Sequence, residues 1–197
     1  MKNALFPFPS KEDSIKILEN DPCYPKIKPE DISPVFEEAW EYGKKQGEIF
    51  CQDNLADIDM LEYLKNRNFT VIEHDVDYVS GNIRYFCEYI SEKNIVEIYR
   101  KSIELWAESN DMSYRDSLDI ILAHEYFHYL EWHVLGRVSK HYLVPMLKIG
   151  KHSFGKTGIS ALSEIAANAF ANAIYENYKT EGRFLAGWEA TPDAGES

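Results

Sequence analysis

Apolar positions change their spacing several times along the chain, and each change marks an element. Leu118, Ile120, Ile121, Leu122, Ala123, Phe127, Leu130 and Trp132 cover almost every side of a helix, which predicts a buried one. Ser113 and Asp116 form a capping pair at its start, and Gly136 stands where it would stop. Ile159–Tyr175 is rich in alanine and predicts a helix that another can approach closely, with Glu164, Asn168 and Asn172 in one polar stripe. Earlier, Ser33-Pro34 reads as a helix start continued by Val35 to Phe50. A further helix is expected from about Asn54 to Lys65, with Leu55, Ile58, Leu61 and Leu64 inward. Between these helices the pattern turns to strands: Phe69 to Tyr78, Ile83 to Ile90 and Asn94 to Tyr99, joined at Ser80-Gly81-Asn82 and Ser91–Asn94. This predicts a small antiparallel β-meander ahead of the buried helix. Lys101 to Asn110 reads as a short helix or loop.

The expected class is therefore α+β, in one ordinary domain of 197 residues. Six of the eight prolines fall at or before Pro34, so residues 1–32 form a proline-rich opening, with a short helix capped at Ser10. Residues 33–179 form the main domain, of which 33–67 are N-terminal helices, and 180–197 a tail expected to fray.

Composition narrows the function. A net charge of -12 speaks against a general nucleic-acid binder, and no apolar run reaches the length of a membrane span. Cys23, Cys51 and Cys87 are odd in number and widely spaced, as for reduced thiols in a cytoplasmic protein. The opening lacks an apolar core long enough for a secretory signal. Trp132 to Ser163 contains no acid but carries Arg137, Lys140, Lys148, Lys151 and Lys156 with His133, His141 and His152. This basic stretch joins the two principal helices, so it is expected to border any cleft between them, either attracting an acidic stretch of substrate or balancing nearby acids.

The buried helix contains His124-Glu-Tyr-Phe-His128, an H-E-x-x-H. Successive helical residues turn by about 100°, so both imidazoles share a face one turn apart and can hold a single ion. Glu125 then lies beside the ion, placed as general base toward an attacking water. Without an ion, two histidines and a carboxylate on a buried helix would be costly. Catalytic zinc takes three protein ligands. His133 falls on the opposite side of the helix, which leaves Glu164, His141 and His152 as candidates, Glu164 foremost because its helix can pack beside the first. His152, His141 or Tyr142 could donate to a developing oxyanion, and Asn168 could orient a ligand. His74 and Cys87, on the strands, read as packing residues. The meander's edge could bind an extended peptide by backbone pairing, or be purely structural.

The pair of motifs, His124-Glu-x-x-His128 and Glu164-Ile-Ala-Ala-Asn-Ala-Phe-Ala171, resembles the ImmA/IrrE-type zinc metallopeptidases, whose second helix carries E-x-x-A-N-x-F-A. The likeness spans roughly residues 69–178; the first 65 or so lie outside it. It implies a zincin-like, gluzincin-type fold in which His124, His128 and Glu164 bind zinc and Glu125 is the general base. It further implies limited cleavage of a protein substrate, such as a regulator or repressor, in the cytoplasm. The 35 residues between His128 and Glu164 make a longer interval than the family's. A different class of function, a zinc-dependent binding module that recognises a partner protein without cutting it, uses the same ligands and is separated by the role of Glu125.

Overall fold

The computed structural model describes residues 9–54, 58–81, 83–150 and 152–180. It is an α+β structure in which helices predominate. Helix α6 (Ser160–Thr180) runs through the core, packed against α5 (Tyr114–Leu130), α2 (Ile32–Asp53) and α1 (Lys11–Glu19). Its alanines let the α2 backbone come close, and two glycines of α2 complete the fit. A Cβ on Gly43 would collide with the Ala166 carbonyl, and one on Gly47 would lie 2.7 Å from the Cβ of Ala173. Ile165, Phe170, Leu122, Phe127 and Leu18 are fully buried where these helices meet.

Three of the helix starts follow the capping logic of their sequences. Ser10 accepts from Asp13 N, Asp59 from Glu62 N and Ser113 from Asp116 N, opening α1, α3 (Met60–Lys65) and α5. The N-terminus of α6 is served from a distance: buried Asp21, in the loop after α1, accepts from Ala161 N at 2.9 Å. At its far end α5 widens into a π-turn (Glu131–Leu135), which stops at Gly136 with φ of +82°.

Several expectations need correction. Helix α2 begins at Ile32 rather than at Ser33-Pro34, so Pro34 is its third residue, still within the first turn where a backbone N–H has no intrahelical acceptor. Helix α3 begins only at Met60, and Ile58 precedes it; Thr180 closes α6, while Leu55 and residues 181–197 of the expected tail lie outside the described residues. The Lys101 to Asn110 stretch is a helix, α4 (Arg100–Ser109).

The strands do not form a simple meander. β1 (Thr70–His74), β4 (Cys87–Ile90) and β5 (Ile95–Tyr99) make a sheet in the order β1-β5-β4, with β1 parallel and β4 antiparallel to β5. β2 (Tyr78–Ser80) and β3 (Ile83–Tyr85) form a separate hairpin. Polar ties pull that hairpin out of the sheet. Asp77 takes Arg84 Nε at 2.7 Å and the Ser102 hydroxyl at 3.0 Å, and Tyr78 N donates to Ser102 Oγ at 3.0 Å, so the chain after β1 is fastened to α4. The middle place goes to β5, whose Val96 and Ile98 are the most deeply buried residues of this sheet.

The acid-free stretch, read from sequence only as a connector, contains an antiparallel ribbon of β6 (Leu143–Ile149) and β7 (His152–Gly158), turning at Gly150. Among the described residues no helix is long and apolar enough to cross a membrane, and Cys23, Cys51 and Cys87 are free thiols.

Candidate metal centre

His124 and His128 project from the last two turns of α5, and Glu164 from the second turn of α6. Because the two helices pack together, residues 36 or more positions apart in sequence meet. His124 Nε2 lies 3.2 Å from His128 Nε2, and the Glu164 carboxylate is 3.3 Å from the first and 3.5 Å from the second. These are the described residues whose ligand atoms form a histidine–carboxylate group able to hold a metal ion. Glu164 keeps 48% of its side chain exposed, which leaves the group open to solvent on one side.

The hydrogen bonds behind the imidazoles fix what their Nε2 atoms can do. The Ser14 hydroxyl donates to the Ser10 carbonyl at 2.7 Å, so its oxygen is left to accept from Asn168 Nδ2 at 3.1 Å. That turns Asn168 Oδ1 toward His124 Nδ1, 3.0 Å away, which must carry the proton. Behind the second histidine, Glu131 is buried at 4% exposure and accepts from Val138 N at 2.8 Å, the Ser163 hydroxyl at 2.7 Å and His128 Nδ1 at 3.1 Å. Both Nδ1 atoms are therefore donors and both Nε2 lone pairs point at each other and at a carboxylate. Only a cation, or a proton on one Nε2, makes that arrangement favourable, so the residues fit a divalent metal with nitrogen and oxygen ligands.

In the metal-free state a proton serves. Burial works to lower the His128 imidazole, but the hydrogen bonds to Glu131 and Glu164 and the charge of Glu125 outweigh it and hold His128 well above its usual range. Burial likewise works to raise Glu164, and the hydrogen bonds and charges of the two histidines outweigh it and pull it well below the usual carboxylate range. Glu125 goes the other way: burial raises it, only partly opposed by the two histidines. Its carboxylate accepts from Tyr89 N, on the edge strand β4, at 3.0 Å.

The other sequence candidates lie in different company. His141 faces Glu38 at 3.7 Å and meets the Tyr42 ring edge-on, and the Tyr142 hydroxyl donates to Asp31 at 2.7 Å. His152 is exposed on β7 near Phe154. His133 Nε2 sits 3.1 Å from the Tyr89 hydroxyl, and His74 stacks on Tyr99. Three residues that hold the ligands escaped the sequence reading. Ser14 gave no signal, being one polar residue of an amphipathic helix. Glu131 and Ser163 did give one: an acid three positions after His128 in an apolar run, and a serine one position before Glu164.

Compared with family models, curated proteins and solved structures, the chain matches none.

Proposed function

We propose that the chain is a zinc-dependent metallopeptidase with a zincin-like fold, of the ImmA/IrrE type, making limited cuts in a protein substrate. The observation that carries this reading is the convergence of two pre-oriented Nε2 lone pairs and the Glu164 carboxylate, with Glu125 on the same helix. Zinc suits a set of two imidazoles and one carboxylate, and when bound it supplies Lewis acidity toward water and the scissile carbonyl. Glu125 takes the proton from the attacking water and passes it to the leaving amine. Its burial supports that task, since a carboxyl raised above its ordinary range accepts a proton more readily than an exposed one. Tyr89 N fixes one Glu125 oxygen, and β4 at the sheet edge supplies backbone groups against which an extended peptide can pair. Asn168 and Glu131 hold the imidazoles in the tautomer that ligation needs.

Two measurements test the reading. The purified protein is expected to carry about one zinc per chain, a content lost in His124→Ala and strongly reduced in Glu164→Ala. Glu125→Gln is expected to keep zinc and lose cleavage of candidate protein substrates, followed by intact mass with and without chelator. Cleavage by Glu125→Gln at the wild-type rate would remove the general base. Zinc held by a wild-type chain that cuts nothing would favour a binding module.

A further inference from the structure

The β6–β7 ribbon supplies no ligand to the metal centre, and its two faces differ sharply. On one of them Val144 is buried in the hydrophobic core and anchors the ribbon. The register sets Leu143 opposite Gly158, Pro145 opposite Lys156 and Leu147 opposite Phe154, and successive residues alternate between faces. Leu143, Pro145, Leu147, Phe154, Lys156 and His152 therefore share the other face. Leu143, Leu147 and Phe154 are each about half exposed there, beside exposed Lys156 and His152. The edges are guarded while this face is not. Lys26 Nζ donates to the Met146 carbonyl at 3.2 Å on the outer edge of β6, and Gly155, with φ of +64°, interrupts β7. Acids meet the ribbon only at its root, where Glu38 faces His141 and Asp31 takes the Tyr142 hydroxyl. Among the described residues no carboxylate pairs with Lys156, and none occurs in sequence from Trp132 to Ser163.

We propose that this face is a docking surface for an extended segment of a partner protein, in which leucine or phenylalanine alternates with aspartate or glutamate. It goes beyond the metallopeptidase reading and stands on a part of the chain that holds none of the metal ligands. Same-face residues of β6 stand roughly 7 Å apart, the spacing of alternate side chains in an extended peptide. Apolar side chains of such a segment would cover Leu143, Leu147 and Phe154, and its acids would meet Lys156 and His152. Charge selects this occupant. In a chain of net charge -12 an acidic segment is repelled nearly everywhere else, so the acid-free ribbon is where it gains. A second copy is a poorer occupant, because a two-fold contact would set each Lys156 against a like-charged ribbon.

The test uses the full chain and a fluorescent peptide, acetyl-Asp-Leu-Glu-Leu-Asp-Phe-Glu-amide, followed by anisotropy and by methyl shifts at labelled Leu143 and Leu147. Two control peptides replace its acids by lysine or its apolar residues by serine. The acidic apolar peptide is expected to bind at least about tenfold more tightly than either control, and more weakly as salt is raised. Lys156→Glu, and Leu147→Ser combined with Phe154→Ser, should each weaken it about tenfold or more while zinc content stays unchanged. These positions are exposed, so the variants should fold, and Ile83→Ser, at an exposed apolar position on β3, should bind as wild type does. Binding should be the same with and without zinc. Equal affinity for the lysine peptide, no binding of the acidic one, or unchanged affinity in both ribbon variants would overturn the proposal. So would capture of phosphatidylserine vesicles or single-stranded DNA in place of the peptide, or dimers in sedimentation that the ribbon variants abolish, since each gives the face to another occupant.

Discussion

His128 carries a proton in the metal-free protein because its Nε2 faces Glu164 while its Nδ1 faces Glu131. Since its folded value stands above the unfolded one of about 6.5, the stability it contributes is complete below that pH and is lost as pH rises through the folded value. Glu164, held below its ordinary 4.5, contributes stability that is present above that pH and is lost as pH falls through its depressed value. Chelated protein should therefore keep the full contribution of this pair between about pH 4.5 and 6.5, and lose it on either side in thermal melts. A metal must displace the His128 proton, so zinc affinity should climb with pH across the same upper limb, as competition with a chromophoric chelator would show. At the same scale, Asn168→Ala and Ser14→Ala are expected to weaken zinc binding about 10- to 100-fold while leaving all three ligands in place. Unchanged affinity in both would remove the role assigned to the Ser10–Ser14–Asn168–His124 chain of bonds.

Among elements, α5 and α6 were the most legible from sequence, because a cap, an apolar run and a ligand spacing agree there. The sheet was legible only as a set of strands. Pairing β1 with β5 joins residues 25 apart in parallel register, Thr70 with Ile95, and the decision is made by where Asp77 and Ser102 fasten the intervening chain. No local pattern encodes that. Nor does Gly43 announce itself as a contact, since glycine inside a helix reads as a weakness until the partner backbone is known. Gly43→Ala should push α2 from α6, destabilise the fold by about 1–3 kcal/mol and reduce zinc affinity through displacement of Glu164. Denaturant midpoints with and without zinc would separate the two effects.

For the whole molecule, the division expected at residue 33 separates α1 from α2 and α6, the helices it packs against. Helix α1 lies before that division, yet it buries Leu18, holds Asn168 through Ser14 and lines with Ile17 the pocket beside His124 and Glu125. The centre thus gathers side chains from α1, α5 and α6 with the edge of β4, spread over most of the described chain. A fragment that starts at residue 33 should bind zinc weakly and melt at a lower temperature than the full chain, measured by metal content and circular dichroism. Fragment and full chain with equal affinity would show that α1 is dispensable.

Asp21 adds one more consequence. Its carboxylate grips Ala161 only three residues before Glu164, so the reach of the acidic arm toward the imidazoles is governed by a loop that touches none of them. Drift in that loop alone could slacken the cation's grip while every coordinating group stayed intact.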